Sequence, residues 1–214
     1  MDISHAEPQT IPCDIALLPD EEQSNTALQA SQALGIQGGL FTLDDQHFYA
    51  HVSLYMFQMN VSDQNACITA LQQIARHTGA QQLAQNGYHY QSSGHYKGYV
   101  DIAFAKTKET SSLQAQVVAT FNNLRADMRE KDTHEMTNAT GLALENFQKY
   151  GYPAIGELFR PHITLTKFPV EIEPDLSILP PVTAFSGEFA RIGLFERGPS
   201  GTCIRKIAEF SLVS

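Results

Sequence analysis

Apolar and polar positions alternate with a period of two through Phe48–Phe57 and again through Arg160–Phe168. That is the spacing of a β-strand with one face in a core. On this phase Ala50, Val52, Leu54 and Met56 point inward from the first run, and Ile163 and Leu165 from the second. The opposite face carries His51, Ser53 and Tyr55 in the first run and His162 and Thr164 in the second, because side chains two residues apart share a strand surface. Each run thus holds a tetrad of one kind, His, apolar, hydroxyl, Leu: His51-Val52-Ser53-Leu54 and His162-Ile163-Thr164-Leu165.

The rest of the pattern supplies helices and further strands. Cys13-Asp14-Ile15-Ala16-Leu17-Leu18-Pro19 reads as a short buried strand closed by proline, after a loose lead-in over residues 1–11. Asp20, Glu21 and Glu22 mark a helix start for a segment running to Gly35, and Gly38-Gly39 breaks the chain before the first tetrad. A second helix begins at Ser62-Asp63, with Cys67, Leu71, Ile74 and Ala75 at helical spacing and Gly79 placed to end it. Tyr88 to Ala105 returns to strand character, punctuated by Gly94 and Gly98, with Tyr99–Phe104 its clearest strand.

A third helix is expected from about Ser111, its stripe being Leu113, Val117, Phe121 and Leu124. Arg125 to Glu135 is charged with little apolar content and reads as a solvated turn or helix end. A fourth helix from about Thr140 uses Ala143, Phe147 and Tyr150, with Gly151 as its cap. The tail reads as a hairpin: Phe189–Phe195, a turn at Gly198-Pro199-Ser200-Gly201, and a return over Cys203–Phe210. Interleaved helices and strands with a terminal hairpin give an α+β chain with largely antiparallel sheets, and the repeated tetrad suggests two lobes of similar build.

Composition narrows the chemistry. The 214 residues, 43% of them apolar, are enough for a sizeable core in a single bilobal domain over 1–214. A net charge of −9 without a long basic run argues against a long nucleic-acid surface, while leaving room for a small anion in a local pocket. Cys13, Cys67 and Cys203 are odd in number and widely spaced, so reduced thiols are expected rather than disulfides or a thiolate zinc site. No apolar run approaches the roughly 20 residues that span a bilayer, and a soluble cytoplasmic protein, a monomer with no membrane partner, is the expectation.

A single His-x-Ser/Thr match carries little weight, since about one is expected by chance among 8 histidines. Two matches, both followed by Leu, both in alternating strands and in opposite halves, carry more. Paired tetrads of this kind resemble the two-histidine phosphoesterase superfamily, which includes the 2′-5′ RNA ligase-like proteins and the 2′,3′-cyclic nucleotide phosphodiesterases. The likeness extends to Tyr150-Gly151-Tyr152-Pro153 and Phe159-Arg160-Pro161 before the second tetrad, and to Leu194-Phe195-Glu196 with Gly201 in the tail. Residues 62 to 150 carry no family signal. The resemblance implies a bilobal α+β fold with two largely antiparallel sheets, flanking helices and pseudo-twofold symmetry around a central cleft. It further implies metal-free, cofactor-free cleavage of a phosphodiester in a nucleotide or RNA end, a 2′,3′-cyclic phosphate or a 2′-5′ linkage.

Histidine suits such chemistry because both protonation states coexist near neutral pH, so His51 and His162 can serve as base and acid in either order. Ser53 and Thr164 can donate to the non-bridging phosphate oxygens. Tyr55 on the same face either stacks on a base or is an ordinary half-buried tyrosine. Tyr152 either lines the cleft through its loop or packs under Pro153. Arg160 and Lys167 are further basic candidates, Arg160 sharing the parity of His162 and Lys167 departing from it. His47, His89 and His95 are expected at the surface. The rival readings are a binding module that holds a nucleotide or RNA end without turnover, and a metal-dependent hydrolase using both histidines. The second lacks the third ligand that a catalytic zinc usually takes.

Overall fold

A computed structural model describes residues 9–94 and 96–213. His95 and the first part of the lead-in lie outside the described residues. In chain order the strands and α-helices are β1 (Thr10–Leu18), α1 (Glu21–Ile36), β2 (Val52–Asn60), α2 (Gln64–Arg76), β3 (Gln81–Gln82), β4 (Gln85–Tyr90) and β5 (Tyr99–Phe104). They continue as α3 (Lys108–Phe121), α4 (Glu130–Thr137), α5 (Gly141–Tyr150), β6 (His162–Lys167), β7 (Glu188–Phe189), β8 (Arg191–Arg197) and β9 (Cys203–Ser211).

Two antiparallel sheets carry the two tetrads. One has the order β2-β1-β8-β9 and the other β4-β5-β6, with β3 and β7 forming a short ladder between a helix end and the tail. The lead-in is shorter than the sequence suggests, since Thr10 and Ile11 already pair with Asn60 and Met59. Helix ends follow local chemistry. Asp20 caps α1 by accepting from Gln23 N–H at 2.8 Å, and Thr107 caps α3 by accepting from Thr110 N–H at 3.0 Å. The third helix therefore starts three residues before Ser111, and Leu124 falls in a 3-10 turn beyond its end. Gly151 ends α5 at φ 69°, the left-handed cap conformation that glycine adopts without cost.

The helices cross between the sheets. α1, which follows β1, packs on β6 of the other sheet, whereas α3, which follows β5, packs on β2. Strand, helix and tetrad strand therefore occur twice, each helix covering the tetrad strand of the opposite unit. The buried leucines of the tetrads, Leu54 and Leu165, lie at 0% exposure in the core this arrangement closes.

Candidate active site

Both tetrad strands carry a bulge at the same place. On β2, Ser53 faces Ala16 and Tyr55 faces Ile15, so Leu54 has no register partner. On β6, Thr164 faces Asp101 and Thr166 faces Val100, so Leu165 has none. An extra residue reverses the inside-outside phase beyond it. Two expectations are corrected as a result. Tyr55 does not line the cleft: it is fully buried, stacked on Phe57 at 5.4 Å, and its hydroxyl donates to the Tyr150 carbonyl at 2.6 Å. Met56, expected in the core, lines the cleft instead, and Lys167 is brought to the cleft at the corresponding place on β6.

Each bulged leucine carbonyl is met by a buried polar side chain from the crossing helix. Ser31 of α1 donates to Leu165 O at 2.6 Å and accepts from Leu43 N–H at 2.8 Å. Gln114 of α3 donates to Leu54 O at 3.2 Å and to Ala154 O at 2.8 Å, and accepts from Gly156 N–H at 3.0 Å. One side chain per unit thus ties a tetrad strand to the loop that leads into the other. A buried carbonyl left unmatched costs about 1–3 kcal/mol, so these ties offset the disruption the bulges make in the ladders.

The strands bring His51, Ser53, His162 and Thr164 to one cavity of about 960 Å³, a size suited to a nucleotide-scale ligand. Nδ1 of His51 lies 2.7 Å from Tyr49 O, and Nδ1 of His162 lies 2.7 Å from Arg160 O. A carbonyl only accepts, so in both rings Nδ1 carries the proton and the neutral ring keeps its lone pair at Nε2. Burial pulls His51 down from 6.5 to about 4, and the nearby His162 pulls the same way, against hydrogen bonds that the ring makes to the backbone of Tyr49 and Gly201. Burial also lowers His162, but there the Asp101 carboxylate opposes the shift.

The surroundings of the two histidines differ. Asp101 on β5 is buried and takes a bidentate bond from Arg160 at 2.7 and 2.8 Å. Arg160, a candidate phosphate ligand by sequence, is therefore held by a carboxylate while still lining the cavity. On the other side Asp14 of β1 is fully buried, accepts from Ser53 Oγ at 2.5 Å, and has its Oδ2 3.7 Å from His51 Nε2. Its Oδ1 has no hydrogen-bond partner, and burial pushes the carboxyl well above the usual carboxylate range. Asp14 was not singled out by sequence, because it sits inside an apolar run where only its charge marks it.

Tyr152 lines the cavity, its ring 6.3 Å from that of Tyr55 and edge-on to it. Lys167 lies over the Tyr99 ring at 4.8 Å and, among the described residues, is the lining cation without a carboxylate partner. The charged segment Arg125 to Glu135, expected as a solvated turn or helix end, is partly helical, and its solvated character is what the structure corrects. Its last part forms α4, and Arg129, Lys131, Asp132 and Glu135 line the cavity. Asp132 takes bonds from Arg129 at 2.7 and 2.8 Å and from Arg197 at 3.2 Å, so the segment is anchored by ion pairs rather than by an apolar face. His47 and His89 are exposed, as expected.

This fold, with two tetrad strands facing one cleft, is shared by solved structures of low sequence identity. Among solved structures the chain is similar to apo LigT of E. coli, at 13% identity and a TM-score of 0.59, covering 96% of this chain and 99% of that one. TT0787 of Thermus thermophilus is similar at 16% identity and a TM-score of 0.62, covering 94% and 98%. A protein described as a phosphoesterase is similar at 12% identity and a TM-score of 0.59, covering 96% and 100%. LigT has also been crystallised with phosphate, with 3′-AMP, with NADP+ and with ATP. By sequence, the model of the family described as protein of unknown function (DUF1045) matches residues 57–175, and the chain belongs to that family. No curated protein sequence matches it.

Proposed function

We propose that this protein is a metal-independent phosphodiesterase that hydrolyses 2′,3′-cyclic phosphates or 2′-5′ linkages of nucleotides or RNA ends. The observation that carries the reading is the pair of imidazoles, each with Nδ1 held by a backbone carbonyl and with a tetrad hydroxyl from the same strand, in a cavity large enough for a nucleotide. Nucleotides and phosphate bound by LigT, of the same fold, agree with that ligand class.

His51 is the base in this scheme, since burial keeps its Nε2 unprotonated at neutral pH. It takes a proton from water as the water oxygen attacks phosphorus. His162 is the acid, its imidazolium favoured by the Asp101 carboxylate, and it gives its Nε2 proton to the departing ribose oxygen. Thr164 donates to a non-bridging oxygen, where charge builds in the transition state. Ser53 is committed to Asp14 and donates there first. Lys167 offers charge to a neighbouring phosphate, and Tyr152 and Tyr99 offer ring faces for a base.

The test is turnover of a 2′,3′-cyclic nucleotide in EDTA by wild type, His51→Ala and His162→Ala, with folding checked by circular dichroism. Wild type should turn over, and each variant should lose about 10²–10⁴-fold. Full activity in either variant removes that histidine from the mechanism. Tight binding with no product across a phosphodiester panel would instead identify a binding module.

A further inference from the structure

Asp14 and Cys203, two residues to which the acid–base scheme gives no role, form a buried trio with His51. One donor atom from each lies within 4.8 Å of the others. His51 Nε2 is 3.7 Å and Cys203 Sγ 4.0 Å from the same oxygen, Asp14 Oδ2. Bonds of about 2.0–2.3 Å from one tetrahedral centre to N, O and S bring such atoms to nearly these separations. His51 is oriented as a metal-bound imidazole is, its Nδ1 proton held by the Tyr49 carbonyl and its lone pair at Nε2.

The carboxylate points the same way. Among the described residues no lysine or arginine pairs with Asp14, and its Oδ1 is buried without a hydrogen-bond partner. A buried carboxyl without a cation holds its proton rather than stand charged, and a divalent ion bound beside the thiol and the imidazole would supply the missing counter-charge. The corresponding carboxylate near His162, Asp101, has Arg160 as its counter-charge. The carboxyl without a counter-charge sits on one side only.

We propose that Asp14, His51 and Cys203 bind a thiophilic divalent cation of the zinc class, and that its binding switches the phosphodiesterase off by occupying His51 Nε2. Oxygen, nitrogen and thiolate donors together suit zinc rather than magnesium or calcium, which favour all-oxygen shells. The thiol gives its proton to solvent as the metal–sulfur bond forms. Entry is from the cavity, which His51 lines. The switching half of the proposal rests on the function proposed above, whereas the binding half does not.

The experiment is titration of the metal-stripped protein with Co²⁺, which reports coordination by absorption independently of turnover. One equivalent should give a thiolate-to-cobalt charge-transfer band and tetrahedral visible bands, displaced by Zn²⁺. Cys203→Ser should abolish the charge-transfer band, while Asp14→Asn and His51→Ala, each confirmed folded, should weaken binding more than about tenfold. A Cys13→Ala/Cys67→Ala variant should keep the band. No band in wild type, or a band that survives Cys203→Ser, overturns the site. Binding as described with turnover undiminished by stoichiometric Zn²⁺ overturns the switch alone. A protein inactive on every phosphodiester but binding Co²⁺ through these residues overturns the proposed function and leaves the site standing.

Discussion

The two halves of the cleft share a backbone and differ in their charges. Each presents His, a hydroxyl and a bulged leucine, with Nδ1 on the carbonyl of the residue two before the histidine. The His162 half adds a balanced Asp101–Arg160 pair and a Lys167 cation. The His51 half has Met56 where the other has Lys167, and an Asp14 that no lysine or arginine meets among the described residues and whose carboxyl burial pushes toward the neutral form. The fold thus delivers two equivalent imidazoles, and the neighbours on β1 and β5 make them unequal. That inequality is what a base and an acid require of one another.

The sharpest test of it compares the hydroxyls. Thr164→Val should lower kcat by about 10²–10³-fold, the cost of one donor to a developing oxyanion. Ser53→Ala should cost far less, because its proton is already given to Asp14. Equal losses would place both hydroxyls on substrate and erase the distinction.

Next comes pH. Both imidazoles lie below their ordinary 6.5, and the reaction needs one protonated. The maximum of kcat/KM should therefore fall on the acid side of 6.5. The rate should drop by about tenfold per pH unit at higher pH as His162 loses its proton. It should drop again toward pH 4 as His51 gains one. An optimum above pH 8 would contradict the assignment.

Stability separates the carboxylates. Asp101→Asn leaves Arg160 unmatched at a partly exposed site and should cost about 1–3 kcal/mol in urea unfolding. Asp14→Asn should have the opposite sign near neutral pH. A carboxyl whose folded pKa is raised favours the folded state below its unfolded value of 3.8 and loses that advantage as pH rises. The variant should therefore gain on wild type from pH 4 upward. A destabilised Asp14→Asn at pH 7 would mean the carboxylate has a counter-charge after all.

The smallest effect concerns Tyr55. Tyr55→Phe strands the Tyr150 carbonyl and should cost about 1 kcal/mol of stability, with KM unchanged. A raised KM would return Tyr55 to the cleft.

The tetrads, the helix caps at Asp20 and Gly151 and the tail hairpin were legible because each rests on local chemistry: alternation, a side chain that accepts a backbone N–H, a glycine free to turn. The bulges were not. Leu54-Tyr55-Met56-Phe57 is apolar at every step, so no polar residue marks where the phase reverses. Thr166, polar yet buried, hides the same reversal on β6 by donating to Phe41 O at 2.6 Å. Asp14 was masked by the apolar run around it. The place of Arg129 to Glu135 on the cavity wall was not legible because Asp132 pairs with Arg197, a partner distant in sequence. Ser31 and Gln114 carry no motif at all, and only the crossing of the helices gives them a task.

That crossing constrains how the molecule can be taken apart. A fragment ending after β2 keeps α1 but lacks β6, the surface α1 is shaped to cover, and leaves β2 without α3. Cutting the chain at its apparent midline therefore yields two pieces with bare apolar faces, which would recover their shelter only by finding each other.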